Sequence, residues 1–146
     1  YFALLTYRLP LPAIREVCKR LHVRRRTVDM LAHVARLRGR MDELSGPLRP
    51  SVLDRLLRGA SDDVLVTLWA AAPTARARDH ILDYARRLRT IKPVTTGNTL
   101  RERGLPPGPL YGQILQRLRN AWLDGEISTP AEEQTLLDEL LAEEVT

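Results

Sequence analysis

The chain has little that would hold it together covalently or anchor it in a bilayer. Among its 146 residues there is one cysteine, Cys18, which excludes a disulfide within the chain and suits a reducing compartment. The longest apolar candidate, Val64 to Ala72, is far shorter than the roughly 20 residues that span a membrane. A cleavable signal pattern is also missing. These absences predict a cytoplasmic protein with no membrane partner.

Clusters of chemistry-bearing residues are missing as well. The histidines His22, His33 and His80 have no metal-ligand spacing with one another or with Cys18, and we expect them at the surface or its boundary. Asp79-His80 reverses the His-Asp order of some metal phosphohydrolases and has no further ligands nearby. The chain also lacks a Walker-type glycine-rich loop with Lys and Ser or Thr. The sequence therefore predicts no catalytic residue and no metal site in this chain.

Alternating strand patterns of useful length are absent, whereas helical periodicity runs through nearly the whole chain. We predict an all-α fold without a sheet, in which a helical array is followed by a small C-terminal three-helix unit. A connector from Lys92 to Asn98 contains Pro, Thr and Gly. It predicts a division between a helical body at residues 1–92 and a C-terminal helical domain at residues 93–146.

Helix limits in the first half follow from prolines, glycines and apolar stripes. Pro12 is suited to the first turn of a helix, where its missing N–H does no harm. One apolar stripe from Met30 to Leu44 predicts a single helix that ends at Ser45-Gly46-Pro47. A short helix is expected near Pro50 to Arg58.

Capping residues mark the later helices. Ser61 is a good N-cap for a helix whose buried side should hold Val64, Leu65, Leu68, Trp69 and Ala72. Thr74 can cap a longer helix, whose apolar stripe extends to Ile91. Thr129-Pro130-x-Glu132 is the pattern of a capping box and predicts the start of the last helix.

The net charge of +5 hides an uneven distribution. Residues 1–40 hold ten basic and two acidic side chains, and residues 74–125 hold ten and four, whereas residues 126–146 hold none and seven. Basic blocks of this kind favour polyanions, and such binding is strongly salt-dependent because neutralised phosphates release counterions. The structural alternative is a solvated helical surface.

The segment from Val94 to Ser128 has the pattern of a backbone device for holding a phosphate. Two helical patterns flank Leu105-Pro106-Pro107-Gly108-Pro109, where prolines stiffen the turn. Gly108 and Gly112 remove side chains where another backbone could come close. The start of the second helix would offer N–H groups and the positive end of its dipole to an anion. The alternative is an ordinary helix corner, with Gly104 as a C-cap, Gly112 as a close-packing site, and positive φ required at Gly108.

Within this segment lies a family resemblance. Three stretches, in this order, resemble the C-terminal region of bacterial CCA-adding tRNA nucleotidyltransferases and their poly(A) polymerase relatives: Gly97-Asn98-x-Leu100, Gly104-Leu105-x-Pro107-Gly108-Pro109-x-x-Gly112-x-Ile114-Leu115, and Leu123-Asp124-Gly125-x-Ile127. The Gly-Leu-x-Pro-Gly-Pro core is the most specific part. Residues 1–90, which open with Phe2-Ala3-Leu4-Leu5, also fit the all-helical middle of that family but are much less diagnostic.

The resemblance implies an RNA-binding part of a transferase in tRNA processing. Its implied partners are tRNA or another structured RNA and an upstream catalytic domain of the same chain. The family's nucleotidyl-transfer head, with paired metal-binding aspartates, and its nucleotide-selecting neck motif have no counterpart here. Mg²⁺ and CTP or ATP are therefore implied for a missing head, and no cofactor for this chain. Because the chain starts at Tyr1 rather than Met, we expect it to be a fragment, and because it lacks the head and neck motifs, we expect it to be inactive alone.

Arginines and glycines near these features are the predicted RNA contacts. Arg24-Arg25-Arg26 lies in a connection between helices, and the arginines after Tyr84 fall largely away from the apolar stripe. Asp83, four residues before Arg87, is a competing partner for that arginine. The complete predicted set is Arg24, Arg25, Arg26, Arg86, Arg87, Arg89, Arg101, Arg103, Gly108, Gly112, Arg117 and Arg119.

Together these features predict a fragment that grips the tRNA acceptor arm through backbone phosphates and the shape of the A-form duplex. A helix-hairpin-helix-like, non-specific DNA-binding module is an alternative, because Leu-Pro-Pro-Gly-Pro between two helices also resembles that motif. A structural or dimerising helical domain is a third. The sequence leaves open the oligomeric state and whether the parent enzyme adds CCA, A alone or poly(A).

Overall fold

The computed structural model describes the backbone of residues 1–144 and the side chains of residues 1–142, and within these residues every regular element is helical and no strand occurs. The predicted all-α fold is thus confirmed. The helices in chain order are α1 (Phe2–Leu5), α2 (Leu11–Arg20), α3 (Arg25–Arg38), α4 (Met41–Ser45), α5 (Pro50–Leu57), α6 (Asp62–Ala71), α7 (Ala75–Arg86), α8 (Gly97–Glu102), α9 (Pro109–Asp124) and α10 (Pro130–Glu144). A 3₁₀ turn at Leu88–Thr90 follows α7. None of these described helices is long and apolar enough to cross a membrane.

The chain forms two compact units. The first unit comprises Tyr1–Leu48 and Val52–Arg89, and the second comprises Arg49–Ser51 and the chain from Thr90 onwards. The predicted domain division after residue 92 lies close to Thr90. Whether the two parts are independent domains stays a prediction.

In the first unit, α3 packs against α2 and α6, and α7 packs against α4 and α6. Thr74 caps α7 as predicted, because its hydroxyl oxygen accepts a hydrogen bond from the N–H of Ala77 at 3.2 Å. The buried face of α3 consists of Leu31, Val34 and Leu37. Burying side chains of this size stabilises a fold by roughly 1.5–3 kcal/mol each, so this packing fixes which helix faces remain exposed.

Two helix limits differ from the prediction. The apolar stripe from Met30 to Leu44 is divided between α3 and α4, because the chain turns at Gly39 and Arg40. Apolar spacing continues across the turn to Met41 and Leu44, which are also buried, and this conceals the break in the sequence. Similarly, α7 ends at Arg86, and the stripe continues through the 3₁₀ turn, where Leu88 is buried.

The position of Trp69 also differs from the prediction. The sequence pattern places it on the buried side of α6, but 41% of its surface is exposed, and that of Val66 is 64% exposed. Val64, Leu65 and Leu68 are the residues of α6 that fill the core. Because α6 is apolar on nearly every side, its sequence alone does not determine which side faces inward.

In the second unit, α9 packs against α8 and α10 around the buried side chains of Leu100, Ile114, Leu118 and Leu137. The predicted capping box at the start of α10 is confirmed. The Glu132 carboxylate accepts a hydrogen bond from the N–H of Thr129 at 3.1 Å, and the Thr129 hydroxyl oxygen accepts one from the N–H of Glu132 at 3.2 Å.

One buried carboxylate joins three parts of the second unit. Glu133 has no exposed surface and accepts hydrogen bonds from the N–H groups of Val94 at 2.9 Å and Thr95 at 2.6 Å, and from the indole N–H of Trp122. Burial acts to raise the pKa of Glu133, but the hydrogen bonds from Thr95, Val94 and Trp122 outweigh it and hold the pKa below its ordinary value. The charged group therefore ties α10 to α9 and to the connector that precedes α8.

A candidate nucleic-acid interface

Charge is divided unequally between the two units. The first unit carries 17 basic and 9 acidic side chains, a net charge of +8, whereas the second carries 6 basic and 9 acidic, a net charge of −3. The first unit as a whole therefore attracts polyanions. In the second unit, attraction depends on where the individual arginines lie.

Three predicted arginines lie at the start of α3, and all three are exposed. Arg25 lies 4.0 Å from Asp29, but both side chains are largely in solvent, which makes their attraction weak. Arg24 and Arg26 make no ion pair with the side chains that the structure describes, residues 1–142. The first turn of α3 contains no acidic residue, so these cations meet the positive end of the helix dipole without compensation. An external anion would relieve that conflict.

Arg26 also lines a surface pocket of about 380 Å³ in the first unit. Along α3 the pocket is formed by Arg26, His33 and Arg36, whose helical spacing places them on one face. Burial, and secondarily the charge of Arg36, lowers the pKa of His33, which is therefore neutral at pH 7. The two guanidinium groups could bind a phosphate, while the carboxylates of Asp29 and Asp63 at the same pocket oppose one. The predicted set missed Arg36, although its helical spacing from Arg26 is visible in the sequence.

The predicted arginines at the C-terminal end of α7 and just beyond it differ in their partners. Arg87 donates two hydrogen bonds to Asp83, both at 2.8 Å, so the competing partner suggested by the sequence is the one observed. Arg89 pairs with Asp62 at 2.5 Å. Arg86 is exposed and makes no ion pair in the described part of the chain. Arg86 can therefore meet a phosphate without giving up an internal partner.

In the second unit, the turn between α8 and α9 is built on a glycine cap. Gly104 has a φ of 86°, and its N–H donates to the carbonyl of Arg101 at 3.0 Å. The N–H of Leu105 donates to the carbonyl of Leu100 at 3.2 Å, which completes a Schellman motif. The Tyr111 hydroxyl donates to the carbonyl of Leu105 at 2.8 Å and fixes the turn against α9. The C-cap role expected of Gly104 is confirmed.

Gly108 and Gly112 fit neither structural alternative. Gly108 has a φ of 179°, an extended conformation open to any residue, so the alternative that requires positive φ there is wrong. A Cβ at Gly112 would meet no atom of the described chain within 4 Å, so the close-packing alternative is wrong as well. Both glycines are exposed. They leave the backbone accessible to another molecule.

The start of α9 offers fewer donors than the phosphate-binding prediction assumes. Its first residue, Pro109, has no N–H, and the N–H of Tyr111 donates to the carbonyl of Gly108 at 3.1 Å. An approaching anion would meet mainly the N–H of Leu110 and the helix dipole.

Most of the arginines predicted around this turn already have partners. Three do so within the second unit: Arg103 with Asp138 and Gln134, Arg117 with Glu126 at 2.7 Å, and Arg119 with the carbonyl of Ile91. Arg101 is exposed and has no ion pair among the described residues. The structure therefore does not gather the four arginines into one unpaired cluster.

In the part of the chain that the structure describes, no three His, Cys, Asp or Glu side chains come close enough together to bind a metal ion. His80 lies partly buried, with its Nδ1 atom 2.8 Å from the carbonyl oxygen of Leu44. Cys18 is buried in the core of the first unit. The Mg²⁺ implied by the resemblance thus stays an expectation for residues outside this chain.

Comparison with known proteins gives one informative match. Across an alignment of 143 positions that covers 93% of the chain, the chain is 33% identical to an A-adding tRNA nucleotidyltransferase from Geobacter sulfurreducens. The chain spans only 16% of that relative's length. No protein-family model and no solved structure matches the chain. The likeness therefore extends through both units, well beyond the turn that first indicated it.

Proposed function

We propose that the chain is an RNA-binding part of a tRNA nucleotidyltransferase, because 93% of it is similar to such an enzyme at 33% identity. It grips the tRNA acceptor arm through backbone phosphates, while a catalytic head outside these residues adds nucleotides to the 3′ end. Phosphate contacts fix the position of an RNA without reading its sequence. They suit a protein that must accept many tRNAs by the shape of the A-form duplex.

The observation that carries this proposal is the unpaired charge of the first unit. Arg24, Arg26 and Arg86 are exposed and make no ion pair with any described side chain (residues 1–142), in a unit whose net charge is +8. Each phosphate that such an arginine neutralises releases counterions, which favours binding at low salt. The exposed glycines of the second unit offer a smaller, uncharged contribution, because a phosphate can approach the backbone there.

In this proposal the chain holds the substrate and does not transform it. Two-metal phosphoryl transfer needs carboxylates that converge on the metal ions. Mg²⁺, CTP or ATP, and the choice of nucleotide belong to the head. We expect no extended product when the purified chain is incubated with tRNA, ATP, CTP and Mg²⁺, and reproducible addition to the 3′ end would contradict this division of roles.

One observation favours the alternative function, a helix-hairpin-helix-like DNA-binding module. The Pro-Gly turn between α8 and α9 is exposed from Pro106 to Pro109, as a loop that tracks a DNA backbone would be. In that case the second unit would dominate binding, and the free arginines of the first unit would contribute little.

The test is binding of the whole chain to tRNA and to a blunt DNA duplex, each at low and moderate salt. We expect tRNA to bind more tightly than the duplex, with an affinity that falls steeply as salt rises. Equal affinity for the DNA duplex at both salt concentrations would favour the DNA-binding alternative. Absence of binding to either nucleic acid, together with a dimer in sedimentation, would favour a structural domain.

A further inference from the structure

Between α6 and α7 of the first unit lies a groove whose apolar walls the phosphate contacts do not use. Its volume of about 390 Å³ is formed by Leu65, Val66 and Trp69 on α6 and by Leu82, Ala85 and Arg86 on α7. Pockets that hold small ligands have volumes of roughly 300–1,000 Å³, so the groove is large enough for a flat ring system. Its walls are apolar apart from one cation at the rim.

Trp69 is the exposed aromatic surface of this groove. Its indole N–H has no hydrogen-bond partner among the described residues, whereas the indole N–H of Trp122 in the second unit is bonded to Glu133. Together with Val66 it exposes a contiguous apolar surface in a unit that is otherwise strongly basic. Exposed apolar surface of this kind marks binding sites.

We propose that the groove binds an unpaired nucleobase of the RNA, stacked on Trp69, with an adjacent phosphate on Arg86. This inference rests on the RNA binding proposed above. Charge complementarity favours a nucleotide as the occupant. A nucleotide carries a flat base next to an anionic phosphate, and the groove has an indole ring next to an unpaired guanidinium group. An apolar protein helix in the same place would bury Arg86 without a partner, which is unfavourable.

The experiment compares a short oligoadenylate with a blunt RNA duplex, because only the first has unpaired bases. Trp69→Ala should lower the affinity for oligoadenylate by about 5- to 150-fold, which is the usual contribution of one base stacked on an aromatic side chain. Affinity for the duplex should stay unchanged. Trp69→Phe should retain most of the oligoadenylate affinity, because phenylalanine still offers a ring for stacking.

Two controls separate stacking from loss of structure. Leu21→Ala removes another exposed apolar side chain of the first unit, outside the groove, and should leave both affinities unchanged. Oligoadenylate should quench tryptophan fluorescence in the parent chain and not in Trp69→Phe, where Trp122 is the remaining tryptophan. Thermal melting of each variant shows whether it folds. If Trp69→Ala does not fold, the fluorescence comparison between the parent chain and Trp69→Phe tests whether a base contacts Trp69.

The outcomes distinguish this inference from the function on which it rests. If Trp69→Ala binds oligoadenylate like the parent while Arg86→Gln still weakens duplex binding, the base site is wrong and the RNA-binding function stands. If no RNA binds at low salt, the proposed function itself fails. If Trp69→Ala converts a dimer to a monomer in sedimentation, the groove is occupied by a second copy of the chain, and the base site is wrong.

Discussion

The two units differ in net charge and in how many of the arginines predicted to bind RNA remain unpaired. In the first unit, Arg24, Arg26 and Arg86 are exposed and make no ion pair with the described side chains, residues 1–142, whereas in the second Arg101 alone of its four predicted arginines is unpaired, and Arg103 and Arg117 are bound to carboxylates of their own unit. The turn that most specifically indicates the family lies in the unit whose net charge is −3. We infer that the attraction of a surface to RNA depends on its unpaired charge rather than on the number of arginines near a motif.

The two units also differ in what their carboxylates bind. In the second unit they hold the fold together: Glu133 is buried under three donors, and Glu132 caps α10. In the first unit, Asp54 is also buried and pairs with Arg58, but the pair formed by Arg87 and Asp83 is partly exposed. We therefore expect the stability of the second unit, and the affinity for RNA of the first, to be the properties most sensitive to changes in charge.

The largest expected effect is on the stability of the second unit. Glu133→Ala leaves the buried N–H of Thr95 and the partly buried N–H groups of Val94 and Trp122 without an acceptor. An unsatisfied buried donor costs about 1–3 kcal/mol and a partly buried one costs less, so we expect a total near 3–5 kcal/mol. Each unit contains one tryptophan, so fluorescence in a Trp69→Phe background follows the second unit through Trp122 during denaturant unfolding.

The control for this variant is Glu139→Ala, an exposed glutamate on the same helix. Its free energy of unfolding should change by less than about 0.5 kcal/mol, as is usual for surface substitutions. Equal unfolding midpoints for the two variants would show that the buried carboxylate does not stabilise the second unit. The stability of that unit would then not depend on its buried charge.

A second prediction separates the units by pH. In the first unit, the lowered pKa of His33 favours its neutral form in the folded state, so the stability from this residue is lost as pH falls from 6.5 through the lowered pKa. In the second, Glu133 stabilises the fold above its ordinary pKa of 4.5, and that contribution disappears as pH falls through the lowered value. Denaturant unfolding followed separately through Trp69 and Trp122 should show the first unit weakening at higher pH than the second. Weakening of both units in the same pH window would contradict this assignment.

A third prediction concerns RNA affinity and uses two variants that remove equal charge. Arg24→Gln with Arg26→Gln should lower the slope of log affinity against log salt by about 0.7–0.9 for each phosphate that the variant no longer neutralises. Arg103→Gln with Arg117→Gln should change that slope little, because these arginines already neutralise Asp138 and Glu126. Titration of tRNA at several salt concentrations gives both slopes. Equal reductions in the two double variants would mean that internal pairing does not limit RNA binding.

Sequence alone predicted the features that depend on neighbours a few residues apart. The caps at Thr74 and Thr129 and the turn at Gly104 each use hydrogen bonds within one helical turn, so a short pattern contains all their partners. The break at Gly39 and the exposure of Trp69 depend instead on which faces the other helices cover. An apolar pattern shows that side chains can be buried, but it does not show which of them the packing leaves outside.

The same distinction applies to the candidate interface. The pair of Asp83 and Arg87 was foreseeable, because residues four apart on a helix are neighbours. Arg103 and Asp138 are 35 residues apart, and no local pattern indicates that they meet. The positions of the arginines could therefore be read from the sequence, while their availability to RNA required the structure.

The smallest expected effects test whether the second unit takes part in binding at all. Gly112→Ala replaces an exposed helical glycine by the best helix former without a clash, so stability should rise by about 0.5–1 kcal/mol. Gly108→Val keeps an allowed extended φ and should leave stability nearly unchanged. If a phosphate approaches this backbone, Gly108→Val should lose roughly 1–2 kcal/mol of tRNA affinity, the scale of one charged hydrogen bond. Melting and tRNA titration on the same samples measure both quantities. If both variants bind tRNA with the affinity of the parent chain, the turn is an ordinary helix corner, and RNA binding belongs to the first unit alone.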